Sequence, residues 1–422
     1  MSRAYTDIAD KATLDQVKTI CSKTYNYLVE ANPIFGFIEH MNTLAPGSRI
    51  EYIGANKDYT PITVTKGGGF SLNSWAGFEW LEANKPYMVK STGEADYRLK
   101  ETDYTKKEDG TDSDVSNTSY NGGAFSWGKR IYRNEMMVGD KRIVRYCMAE
   151  TEGLEPEGFL DQNNNVLEGV WIPMFYGSIV NSKGTCIAGT QPDHDTATAA
   201  EKTAIDAFGS RACFFGGPIV QVFIDLMIMF SKTTDLQGAY GDGNMSGYDA
   251  SDTYKGVKEN AVVGGGQFYG TSDGKSLNKI FHSIVLGTYQ QWMRDPYMIS
   301  VNGKLKVSKN YTYSLTAEGY QDTGIDYTSV GDISWHYPHR YKVVPGFGAV
   351  PDEPPYNGST ALGGCDGFVV NAGITAVALR FGVCDYGALD GPRALALTYT
   401  ATSATCSIGW AILLLPPVGV AA

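Results

Sequence analysis

The clearest periodic signal lies near the start of the chain. Leu14, Val17, Cys21, Thr24 and Leu28 recur at spacings of 3, 4, 3 and 4, the stripe of a helix with one apolar face. Thr13 is placed to cap that helix, with Gln16 as its capping-box partner. Asn32-Pro33 ends the stripe. Proline is favoured in a first helical turn, so Pro33 predicts a second short helix running through Leu44. The pattern then changes. Ile50 and Tyr52, followed by Thr60, Ile62 and Val64, predict two short strands around a turn. The triple glycine at 67–69 predicts a hinge or tight bend.

Further along, the polar run from Lys100 to Gly123 reads as a solvated loop. The segment VLEGVWIPMFYGSIV (166–180) predicts strand, turn and strand. A helix over 197–208 would place Ala200, Ala204, Ile205 and Phe208 on one face, and the stretch from Pro218 to Phe230 is apolar nearly all round, as a buried helix is. From Val263 onward short strands are broken by Gly, Asn and Asp. Helices before and strands after predict an α+β fold. The expected organisation is an N-terminal helical anchoring or oligomerisation module (1–45), a short β connector (46–86) and a large C-terminal domain (87–422).

Composition narrows the function classes. The net charge of −11 argues against a nucleic-acid partner, because phosphate binding needs clustered Lys and Arg. No apolar run is long enough to span a membrane, and the first residues show no signal peptide. The 49 Gly and 27 Tyr suggest many turns and aromatic surface contacts. The seven Cys are an odd number without metal-ligand spacing, so reduced thiols are expected, with a Cys384–Cys406 pair left open.

Motifs for catalysis and metal binding are weak. GGGQFYG (264–270) lacks the Lys-Ser/Thr of a phosphate-binding loop. His336 and His339 are separated by Pro338 in an aromatic loop, SWHYPHRY, which suits ligand contact through Trp335 and Tyr337 better than a metal. The QPD tripeptide at 191–193, a galactose-selecting signature in calcium-dependent lectins, stands without a companion motif. Neither a cofactor nor a metal is expected. Asp366, Asp385 and Asp390 are a weak acid/base signal, and no enzymatic activity is expected.

The most informative stretch is RFGVCDYGALDGPRALALTYTATSATCSIGW (380–410). Phe381, Gly382, Leu389, Gly391, Leu395, Leu397, Ile408 and Gly409 form an apolar and glycine frame. Residues of unrelated chemistry fill its gaps: Arg380, Asp385, Tyr386, Asp390, Arg393, Tyr399, Ser403, Thr405 and Ser407. This frame resembles the variable region of diversity-generating-retroelement target proteins. EGVWIPMFYGSIV, AFGSRACFFGG and LMIMFSKTTDLQGAYGDGN are similar to segments of virion-associated proteins of gut Bacteroidales phages. Cys406 and Trp410 depart from that family's pattern in the last strand.

The resemblance implies a C-type-lectin-like domain related to the formylglycine-generating-enzyme fold, with the gap residues displayed for binding. It also implies a phage virion adhesin, tail- or capsid-borne, exposed on the particle and binding a bacterial surface glycan or protein receptor. Other virion proteins would be held through the N-terminal module, and a homotrimer is expected by analogy with phage fibres. The alternative is a structural decoration or fibre protein that contacts other virion proteins.

Overall fold

The computed structural model describes residues 32–331 and 333–422. It overturns the expected α+β class: strand accounts for 32% and helix for 14%, in largely antiparallel sheets, and the described residues show no clear N-terminal helical module. The stripe from Leu14 to Leu28, with the trimer and anchoring roles assigned to it, lies outside the described residues. The second predicted helix is a strand, Phe35–His40. It is held between Ile50–Gly54 and Lys141–Cys147, with Tyr132–Val138 completing a four-stranded antiparallel sheet. Its residues explain the outcome. Phe35, Phe37 and Glu39 alternate inward, and Gly36 lies so close to the Val144 carbonyl that a Cβ would overlap it. Residues assigned by sequence to the anchoring and connecting modules thus share a sheet with residues 132–147.

A second, seven-stranded antiparallel sheet has the order Ala212–Phe214, Ile412–Leu414, Gly169–Pro173, Gly122–Lys129, Pro86–Lys90, Ala95–Lys100 and Asp103–Lys107. The polar run after Lys100 therefore begins with an edge strand. Its buried Tyr104 and exposed Thr105 are compatible with one buried and one wet face. The predicted pair around Thr60 is not a hairpin: Ile50–Gly54 pairs backward with Phe35–His40, and Thr63–Val64 pairs with Phe70–Ser71.

The two stronger helices occur as expected, over Thr198–Phe208 and Pro218–Ser231. The latter starts with proline and is buried from Pro218 through Phe230. Its Phe223 and Phe230 join Trp75, Trp80, Phe78 and Phe281 in a network of tilted and edge-on ring contacts. Among the described residues, no helix is long and apolar enough to cross a membrane.

The third sheet carries the segment of interest. Its order is Gln321–Asp326, Lys304–Val307, Trp292–Val301, Thr375–Arg380, Leu395–Leu397 and Phe368–Val370, and Ile408–Gly409 pairs in parallel with the start of Trp292–Val301. Leu395 and Leu397 face one buried cluster with Phe368 and Val370, while Ala394 and Ala396 face another with Trp292 and Leu379. The period-2 alternation of the frame thus builds both faces of this sheet.

Candidate functional site

The third sheet is covered on one side by a layer that is only partly closed. Trp292, Val369, Leu379, Val383, Ala394, Ala396 and Ile408 form its floor, and Tyr254, Trp335, Tyr386 and Tyr399 pack on it half-buried. The rings of Trp292 and Trp335 stack at 6.1 Å with 9° between planes. Tyr386 meets both edge-on, at 6.1 and 5.3 Å. Trp335 approaches this closely because it lies over Gly367, where a Cβ would stand 2.8 Å from the ring. His194 extends the ledge, edge-on to Tyr254 at 5.3 Å.

Polar groups border these rings. Asp385 stands beside Tyr386 with much of its surface open, and partial desolvation raises its carboxyl above the ordinary value. Ser403, Thr405 and Ser407 are half-exposed on the loop from 398 to 407. Their side chains hydrogen-bond locally: Thr405 Oγ1 to Ser407 Oγ at 2.8 Å, and the Thr400 amide to Ser403 Oγ at 3.1 Å. The loop backbone is pinned from below. Ala401 O accepts from Thr198 N at 3.0 Å, Thr405 O from Asp195 N at 3.1 Å and Ser407 O from Trp292 N at 2.8 Å. The turn at Gly387–Leu389 is fixed likewise, by Gly387 N donating to Met245 O and Tyr248 N to Cys384 O, both at 2.8 Å.

Of the residues expected to be displayed, Trp335, Tyr386 and Tyr399 come together, with Asp385, Ser403, Thr405 and Ser407 on the same C-terminal segment. Tyr337 is half-buried and is not part of the aromatic layer. Three others are corrections. Arg380 is interior, its Nε donating to Asp295 Oδ2 at 2.6 Å while Asp295 Oδ1 accepts from Gly217 N at the head of the buried helix. Arg393 is buried over the Tyr341 ring at 4.0 Å and grips both oxygens of Glu39, at 3.0 and 2.9 Å. Asp390 is fully buried against Gly382, which leaves no room for a Cβ. Arg380 and Arg393 are held inside by partners far away in sequence, and all three belong to the interior instead of facing outward. Trp292, Tyr254 and His194 were missed; Trp292 stands among polar neighbours, in TYQQWMRDP, and no local pattern marks it.

The other candidate motifs resolve into supporting contacts. Asp193 of the QPD tripeptide accepts from Trp410 Nε1 at 2.7 Å, and Gln191 Nε2 donates to Val257 O at 3.0 Å. Trp410 is fully buried against Gly177 and Gly184, which lack the Cβ that would block it. His339 Nδ1 accepts from Asn357 N, while the His336 ring packs on Tyr356. The six described cysteines are free thiols, so Cys384 and Cys406 form no disulfide. Among the described residues, no three His, Cys, Asp or Glu side chains gather as a metal cluster.

No protein-family model matches the chain, and no curated protein matches it.

Proposed function

We propose that the chain is a bacteriophage virion adhesin and that the half-buried aromatic ledge of Trp335, Tyr386, Tyr399 and Tyr254 is its receptor-binding face. The observation that carries the reading is the juxtaposition of these rings with Asp385 and the hydroxyls of Ser403, Thr405 and Ser407. Large flat rings supply contact area at low entropic cost, and short polar side chains supply adaptable hydrogen bonds, the combination used by other binding surfaces built on rigid scaffolds. A bacterial surface glycan suits it best, because sugar C–H faces pack on aromatic rings while their hydroxyls meet carboxylate and hydroxyl groups. The fixed frame of residues 380–410, with its resemblance to retroelement-diversified phage proteins, supports the virion setting.

The test is binding of the purified protein to intact Bacteroidales cells. Trp335→Ala combined with Tyr386→Ala should weaken binding at least tenfold with the fold retained by circular dichroism. Undiminished binding by the folded double variant would remove the ledge from the receptor site. A chain that binds no cells yet assembles into particles with its C-terminal segment buried would favour the structural virion role instead.

A further inference from the structure

Directly beneath the turn that carries Asp385 and Tyr386, the interior holds two carboxylates, Asp366 and Asp390, that form no ion pair among the described residues, although Arg393 acts on Asp366 from a distance. Both are buried. Asp366 Oδ2 accepts from Arg393 N at 2.6 Å, but Asp366 Oδ1 and both oxygens of Asp390 have no hydrogen-bond partner. The Val383 amide draws on Asp390 without reaching hydrogen-bond geometry. The nearest guanidinium, that of Arg393, is spent on Glu39. The backbone has been cleared to admit these groups. Gly382 and Gly391 both have positive φ, and a Cβ on either would overlap Asp390 and Asp366 respectively.

Two further oxygens belong to the cluster. The hydroxyls of Tyr176 and Tyr289 are fully buried and meet no hydrogen-bond partner in good geometry among the described residues, although the Gln290 and Tyr289 amides draw on Tyr176. Asp366 acts electrostatically on Asp390 and on Tyr289, and Asp390 acts on Tyr176, which in turn acts on Tyr289. The four groups therefore form a ring of neighbours within electrostatic reach, yet no two of them share a hydrogen bond. Burial holds both carboxyls well above the ordinary Asp range. Asp235, Asp242 and Asp385 add negative charge around the ring.

A buried carboxylate without a partner is costly, and the cost is relieved by a proton or by a cation. The donor set here is oxygen only, with two carboxylates and uncharged oxygens, which is the chemistry of a hard divalent ion that accepts irregular geometry. We propose that Asp366 and Asp390 are the carboxylate ligands of a buried Ca²⁺ ion, with the hydroxyls of Tyr176 and Tyr289 beside it. The ion would tie the strand entering at Phe368 to the turn at 383–391 and to the segment around Tyr289. The inference stands apart from the receptor reading, since it concerns groups behind the ledge and its test uses no receptor.

The test uses the full chain purified with Ca²⁺ and then exhaustively dialysed. Elemental analysis should find a single Ca²⁺ per chain, EDTA should lower Tm, and added Ca²⁺ should restore it. Tb³⁺ should replace the ion and show luminescence sensitised by the adjacent tyrosines. Asp390→Asn and Asp366→Asn should each abolish the sensitised signal and the Ca²⁺ dependence of Tm. Should either variant fail to fold, the wild-type stoichiometry and EDTA response still decide. Absence of bound Ca²⁺ and of any EDTA effect would overturn the proposal and leave the carboxyls protonated. So would Ca²⁺ binding or Tb³⁺ luminescence that persists in both folded variants.

Discussion

Lys279 shows how a single buried residue sets a pH dependence. Its Nζ donates to Tyr104 Oη and to Gly264 O, both at 2.9 Å, and no carboxylate among the described residues meets it. Burial pulls its pKa from 10.5 down to about 7. Between those values the unfolded chain holds a proton that the folded protein does not, so stability rises with pH across that window. Below about pH 7 both states are protonated and the penalty is constant. Lys279→Met should therefore gain stability relative to wild type as pH falls from 10.5 to 7, with no further gain below. Urea titrations at several pH values check this, and parallel curves would contradict it. Trp410 makes a second residue-scale case. Trp410→Phe deletes the donor to Asp193, and a buried acceptor left unpaired costs about 1–3 kcal/mol, measurable as a lower urea midpoint at unchanged slope. In the sequence Trp410 and Asp193 look unrelated, one an exception to a strand frame and the other part of a lectin-like tripeptide. Their contact spans 217 positions, and no local pattern announces such a pairing.

At the scale of elements, legibility followed how local the stabilising interactions are. The helix Pro218–Ser231 was readable because its burial is written into an uninterrupted apolar run with a proline at its start. Thr198–Phe208 was readable from one apolar face. Phe35–His40 was not, because the preference of Pro33 for a helix start is outweighed by pairing with Lys141–Cys147, about a hundred residues on. The alternating frame of 380–410 did mark the sheet correctly, with Phe381, Leu395, Leu397 and Ile408 buried. It could not separate Arg380, Asp390 and Arg393 from the outward residues, because charge in a sequence reads as surface until its partners are known. The buried helix also carries an aromatic load that a cavity would expose. Phe223→Ala should cost about 3–5 kcal/mol, and a thermal shift no larger than that of a surface alanine variant would contradict its place in the core.

Over the whole molecule, a network of buried ion pairs joins distant parts of the chain. Glu39, from the first strand, is bonded to Arg49, Arg142 and Arg393. Arg142 also bonds Asp225 of the buried helix, as does Arg133. Burial alone would raise the Glu39 carboxyl, but Arg393, Arg49 and Arg142 override it and hold it well below the ordinary value. Its depressed pKa contributes stability that is present above the ordinary carboxylate range and lost as pH falls through the folded value. Removing one member leaves others charged and buried, so Arg393→Ala should cost about 3–5 kcal/mol. Arg393→Lys, which keeps a positive charge beside Glu39, should lose less in thermal melts; a Lys variant no more stable than Arg393→Ala would contradict the pairing. This network sets the third sheet rigidly on the rest of the fold, and the aromatic ledge is presented on that base. Hydroxyl-radical footprinting of the protein alone and bound to host cell envelopes tests the central claim most directly. Protection on binding should concentrate at Trp335, Tyr386, Tyr399 and Tyr254; protection confined to other surfaces, with these four rings unchanged, would contradict it.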